Sequence, residues 1–143
     1  MEVAKDQELL QAVRKEADSA FVIDPVTSKR KIDAQKLITL PLLQSIYAEA
    51  MRLHVSINIT REIMEPIKLD GYTLEKGAIL QASSELAGYD ERIWGVEGHP
   101  ASEFWPARHI KQVEVEDEDG KLKLVPQFSM AGRSNEFIPY GMC

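Results

Sequence analysis

The stretch from residue 41 to residue 54, PLLQSIYAEAMRLH, decides how the chain reads. Pro41 opens it, and a proline suits the first turn of a helix because its missing N–H would find no partner there. Thr39 or Leu40 flanks that turn. Leu43, Ile46, Tyr47, Ala50, Leu53 and His54 recur at helical spacing, which predicts a helix to about His54 with one broad apolar face. Glu49 and Arg52 stand three apart within it, so both side chains share a face. On a surface such a pair contributes about 0.2–0.5 kcal/mol. Buried among Tyr47, Ala48, Ala50, Met51 and Leu53, it would need a third partner.

Upstream, Asp6 is a plausible N-cap for a helix running to about Ala20. Leu9, Leu10, Val13, Ala17 and Ala20 form its apolar stripe. Asp24-Pro25 breaks the pattern, and residues 24–32 are polar and read as loop. Asp33 is placed to cap a short turn through Leu37.

Downstream, Ile67–Leu69 and Tyr72–Leu74 flank Asp70-Gly71, a pair that accepts the positive φ of a tight hairpin turn. Glu75-Lys76-Gly77 turns again, ahead of a third strand over residues 78–82. Ser83 or Ser84 can cap a helix through Ala87. Residues 88–112 show no period, yet hold both tryptophans, which predicts a packed irregular segment. Residues 113–125 alternate around Asp119-Gly120, predicting a hairpin with one solvated, acidic face.

Within the irregular segment, Phe104, Trp105 and Pro106 would hold a loop rigidly. The adjacent Arg108 is a candidate third partner for the Glu49–Arg52 pair, because a guanidinium can meet a buried carboxylate with two parallel bonds. Near the end of the sequence, NEFIPYGMC joins an aromatic, a turn and Cys143, a set able to approach a cofactor closely.

Composition narrows the classes. A chain of 143 residues is long enough for a real core, and its hydrophobic and charged fractions fit a soluble globular protein. The net charge of −6 argues against nucleic-acid binding, which needs a basic face. Lys29, Arg30 and Lys31 are the only run of basic residues, and a run that short reads as solvated loop. No apolar run approaches the roughly 20 residues that a bilayer requires, so no membrane segment is expected, and the opening MEVAKDQELL lacks a signal-peptide core. One cysteine cannot close an internal disulfide, which fits an intracellular, reducing compartment. His54, His99 and His109 lack the spacing of a zinc site.

Taken in order, three of these features resemble the cytochrome P450 family. Glu49 and Arg52 of EAMR match its ExxR helix; Phe104, Pro106 and Arg108 of FWPAR match its meander; FIPYG resembles the approach to its haem loop. Arg61 and KLDGYTLEKGAIL fall between them in the family's order. The resemblance covers residues 1–141, most specifically 39–108. It implies an α+β fold: the ExxR helix, a small antiparallel sheet and the meander loop, cut from a domain that is mainly helical when complete. Residues 1–143 would be the C-terminal part of that domain, without the oxygen-activating helix upstream and without the segment after the cysteine.

The resemblance also implies roles. Glu49, Arg52 and Arg108 would form a buried, structural ion network, with no catalytic residue in the proton-transfer sense. Arg61 would bind a propionate of haem b, Tyr140 and Gly141 would open the haem loop, and Val55 to Ile59 would line the substrate side. In the family a cysteine thiolate holds the iron. Here Met142 and Cys143 follow Gly141 at once, without the usual glycine-rich turn. Cys143 is either the ligand's counterpart behind a short deletion or an unrelated residue. Ala107 and His109 replace a frequent Glu and a frequent Phe. The implied function is oxygen insertion into a small organic substrate, with electrons from a redox partner reductase. The implied state of this chain is an inactive fragment. A haem-free interaction domain built on the same fold, or an unrelated soluble α+β protein, are the alternatives.

Overall fold

A computed structural model describes residues 2–117, 120–133 and 137. They form helices and small antiparallel sheets in two compact units, one of residues up to Ala50 with Glu103–Gly132, the other of Met51–Ser102 with the residues from Arg133.

In the first unit, α1 spans Gln7–Asp18, and the Asp6 carboxylate accepts the Leu9 N–H as its cap. The next turn ends in Ala20, which is fully buried. The expected loop over residues 24–32 is instead partly strand. Phe21–Ile23 (β1) pairs antiparallel with Arg30–Ile32 (β2). The link between them is closed by Asp24, whose carboxylate accepts the Val26 and Thr27 N–H groups and meets Lys31. Two of the three residues of the basic run thus lie in a strand, and Arg30 is steadied by a cation–π contact on Phe21 (3.6 Å) and an ion pair to Asp18 (2.7 Å). A three-residue strand that is all apolar (β1) or mostly charged (β2) carries no readable alternation, which is why the pattern hid them. Asp33 caps α2, Ala34–Leu37, through the Lys36 N–H.

Helix α3 spans Pro41–His54. Its free N–H groups at Leu42 and Leu43 are capped by both oxygens of Glu16 at 2.9 Å. The cap comes from α1, so the sequence around Pro41 could not announce it.

The buried face of α3 differs from the apolar one read from its spacing. Ser45, Ala48, Glu49, Arg52 and Leu53 are buried, while Tyr47 is 58% exposed and Leu43, Ile46 and Ala50 are half-buried. Position 45 onward still recurs at i, i+3, i+4 and i+7, and Leu53 of the expected face is buried, but Ser45, Glu49 and Arg52 make the stripe largely polar. An ion cluster wins that face over the larger apolar side chains.

The long hairpin completes the first unit. Ile110–Glu116 (β7) pairs with Leu122–Phe128 (β8), register Val113 opposite Val125, so the expected hairpin extends three residues further on each strand. Asp119, half of the expected turn, lies outside the described residues; Gly120 takes a φ of +75°. Leu122, Leu124 and Val115 are exposed, so the tip is solvated on both faces and only the Ile110–Phe128 end packs.

In the second unit, β4 (Ile67–Leu69) and β5 (Tyr72–Leu74) form the expected hairpin, with φ of +48° at Asp70 and +82° at Gly71. The third strand, β6 (Ile79–Ser83), does not join them. It pairs instead with β3, Asn58–Glu62, a strand whose mixed sequence NITRE showed no alternation. The single expected sheet is therefore several two-stranded ones. Ser83 caps α4, Ser84–Gly88. The segment from residue 88 is packed, as its tryptophans predicted, but is more regular than its sequence. It holds α5, Glu91–Trp94, capped by Asp90. Trp94 is fully buried and its indole N–H donates to the Ala87 carbonyl.

Candidate functional site

Glu49 is the centre of the first unit. Its side chain is fully buried, and so is that of Arg108. Phe104 and Trp105 lead into a 3₁₀ turn, Pro106–His109, opened by the proline whose fixed φ and missing N–H suit that position. The turn delivers Arg108 so that its Nε donates to Glu49 Oε1 at 3.2 Å. The Trp105 backbone N–H donates to the same oxygen at 3.0 Å. The Arg108 guanidinium also lies 5.6 Å from the centre of the Trp105 ring. A buried carboxylate left alone would be too costly to keep ionised; a guanidinium and directed N–H groups offset that cost.

A residue the sequence did not single out for a site joins them. His109 is fully buried, and its Nε2 lies 2.9 Å from Glu49 Oε2. Its position beside Arg108 was visible, but a histidine where the family often has Phe reads as a plain replacement until the turn folds.

Arg52 is buried in the second unit. Its Nη1 donates to the Gly88 carbonyl at 2.5 Å and the Ala101 carbonyl at 2.6 Å. Its guanidinium sits 5.4 Å from the Trp94 ring. Gly88 has no alternative here, because a Cβ would collide with the Arg52 backbone carbonyl. Glu91 secures the same loop by accepting the Ala101 N–H at 2.7 Å. The Glu49, Arg52 and Arg108 side chains are thus enclosed and hydrogen-bonded within the protein.

Arg61 lies on β3 with its side chain exposed, its Nη1 donating to the Thr60 carbonyl at 3.0 Å. An exposed guanidinium on a strand is chemically suited to a carboxylate such as a propionate. Tyr140, Gly141 and Cys143 lie outside the described residues. Among the described residues no three His, Cys, Asp or Glu side chains gather as metal ligands, and no helix is long and apolar enough to cross a membrane.

Comparison with known proteins identifies relatives of the chain. The family model described as Cytochrome P450 matches residues 1–141. The cytochrome P450 monooxygenase calL of Penicillium decumbens is 49% identical over 141 residues, which cover 99% of this chain and 25% of that protein. The cytochrome P450 monooxygenase efuG of Hormonema carpetanum is 30% identical, over 93% of this chain and 27% of its own length. The beta-amyrin 24-hydroxylase of Glycine max is 25% identical, over 98% of this chain and 24% of its own length. The chain thus spans about a quarter of the length of the curated relatives it matches. With the motifs in order and the family match running almost end to end, the chain belongs to the cytochrome P450 family.

Proposed function

We propose that the chain is the C-terminal part of a cytochrome P450 domain, that the complete protein is a haem-thiolate monooxygenase, and that the 143-residue chain alone is not competent. The observation that carries the reading is the 49% identity to a cytochrome P450 monooxygenase along nearly the whole chain, over a quarter of that protein. When bound, haem supplies the oxygen-activating redox chemistry, and the protein positions and tunes it.

Each residue then has a task. Arg61 would hold a propionate through its exposed guanidinium. Tyr140 and Gly141 would shape the loop, and Cys143 would offer the thiolate. Glu49, Arg52 and Arg108 keep the scaffold rigid. Val55 to Ile59 would face a small organic substrate, and a redox partner reductase would deliver electrons. A lone thiol of this kind stays reduced in an intracellular compartment, where we place the protein.

The isolated chain lacks the cover that keeps such a site dry. An ordinary exposed thiol titrates near 8.5 and is mostly protonated at neutral pH, so it binds iron weakly. Purified with hemin and reduced under carbon monoxide, the chain should not develop the red-shifted band of a thiolate-ligated complex. If that band appears and is lost in Cys143→Ala, the chain is competent to ligate haem and the inactive-fragment reading fails. A Soret band unchanged by the chain would favour a haem-free interaction domain.

A further inference from the structure

We infer that His109 is a positioning residue for Glu49, held as the neutral tautomer with its proton on Nε2, and that it fixes the plane of the buried carboxylate from the side opposite Arg108. This role needs no haem and is independent of the function proposed above.

An ionised carboxylate only accepts hydrogen bonds. The 2.9 Å contact between His109 Nε2 and Glu49 Oε2 therefore requires a hydrogen on Nε2. Both the neutral Nε2–H form and the imidazolium supply one. The site chooses between them by charge. Glu49 already faces the permanently cationic Arg108 at Oε1, and all three side chains are buried. A second cation there would leave excess positive charge away from water, which is costly. A neutral donor adds a directed bond without that charge.

The geometry around the ring is built to aim it. His109 ends the 3₁₀ turn that presents Arg108, and its carbonyl accepts the Ser129 N–H at 2.8 Å, tying the turn to the end of β8. The Phe128 ring packs against the imidazole, centroids 6.2 Å apart and tilted by 46°. With His109 on Oε2, and with the Trp105 N–H and Arg108 Nε on Oε1, the carboxylate is held at both ends and cannot turn about its terminal bond.

The tautomer is directly readable. In the 143-residue chain with ¹⁵N-labelled histidine, the His109 ring at neutral pH should show a protonated Nε2 and a bare Nδ1. A protonated Nδ1 with a bare Nε2, or two protonated nitrogens, would overturn the assignment. The donor itself is tested with two variants. His109→Phe keeps a ring of similar size and removes the donor, and should lower the melting temperature by at least about 4 °C. His109→Gln, whose amide nitrogen can reach the same oxygen, should recover most of that loss. A Phe variant as stable as the parent, or a Gln variant no better than Phe, would overturn the role. The spectrum of the parent decides even if a variant fails to fold.

Discussion

Glu49 concentrates the energetics of the first unit in one residue. Removing its carboxylate strands the buried Arg108 guanidinium and leaves the Trp105 N–H without its acceptor. Glu49→Ala should therefore cost about 3–5 kcal/mol, read as a shift in the denaturation midpoint at unchanged slope. A loss below about 1 kcal/mol, the range of a surface pair, would contradict the buried cluster. Gly88 makes the opposite kind of test, through backbone contact. Alanine is ordinarily the better helix former, yet at Gly88 its Cβ would strike the Arg52 carbonyl. Gly88→Ala should thus destabilise by about 1–3 kcal/mol, and a stabilised variant would show that the approach is looser. Asp24 sets a pH dependence. The Thr27 N–H, then the Lys31 ammonium, then the Val26 N–H hold its carboxyl down from the ordinary 3.8 to about 2. A carboxyl with a lowered folded value stabilises the fold above pH 3.8 and loses that contribution as the pH falls through about 2. An NMR titration of Asp24 should find its midpoint near 2 and find it raised in Lys31→Ala. A midpoint at the ordinary value in the parent chain would remove this acid dependence.

Among the elements, helix α3 shows how much an element's packing depends on distant partners. Its existence follows from Pro41 and from helical spacing, but its buried face and its cap do not. The cap is Glu16, 26 residues upstream of Leu42. The long hairpin divides into two functional halves. Its base packs Ile110, Val113, Val125 and Phe128, while Leu122 and Leu124 near the tip are 70% and 60% exposed. Deleting Glu116 to Gly120 removes the acidic tip and leaves Val115 opposite Lys123, a pairing that exists already. That deletion should change stability by less than about 1 kcal/mol, because surface segments carry little of it. A larger loss of melting temperature would place the tip in the core. The missed strands β1, β2 and β3 are all short, three to five residues, and none alternates apolar with polar: β1 is wholly apolar, β2 and β3 mostly charged or polar. Their pairing is a matter of backbone hydrogen bonds to a partner, and backbone bonds leave no trace in side-chain pattern.

For the molecule as a whole, exposed apolar side chains dominate the expected behaviour. Ile67, Leu69, Tyr72, Ile79 and Leu80 in the second unit, and Tyr47 and Ile38 in the first, all stand more than a third exposed. Apolar surface of this kind favours association. The 143-residue chain alone should self-associate with rising concentration in sedimentation experiments, and a strictly monomeric chain at all concentrations would contradict this. The sequence by itself determined the α+β class, helix α3, the hairpin at Asp70-Gly71, the caps Asp6 and Asp33, a serine cap at 83 or 84, and, through the order of EAMR, Arg61 and FWPAR, the family. Those features are local: a proline in a first turn, a pair of residues tolerant of positive φ, a side-chain oxygen three residues before an N–H. Arg108 was legible as a partner of Glu49, but only the tertiary structure decided that His109 takes the other carboxylate oxygen, that Arg52 clasps the carbonyls of Gly88 and Ala101, and that β6 pairs with β3 rather than with β5. Each of those outcomes joins residues 17 to 60 positions apart. Which distant donor reaches a buried acceptor is set by how the turns between them close, and no periodicity along the chain records that.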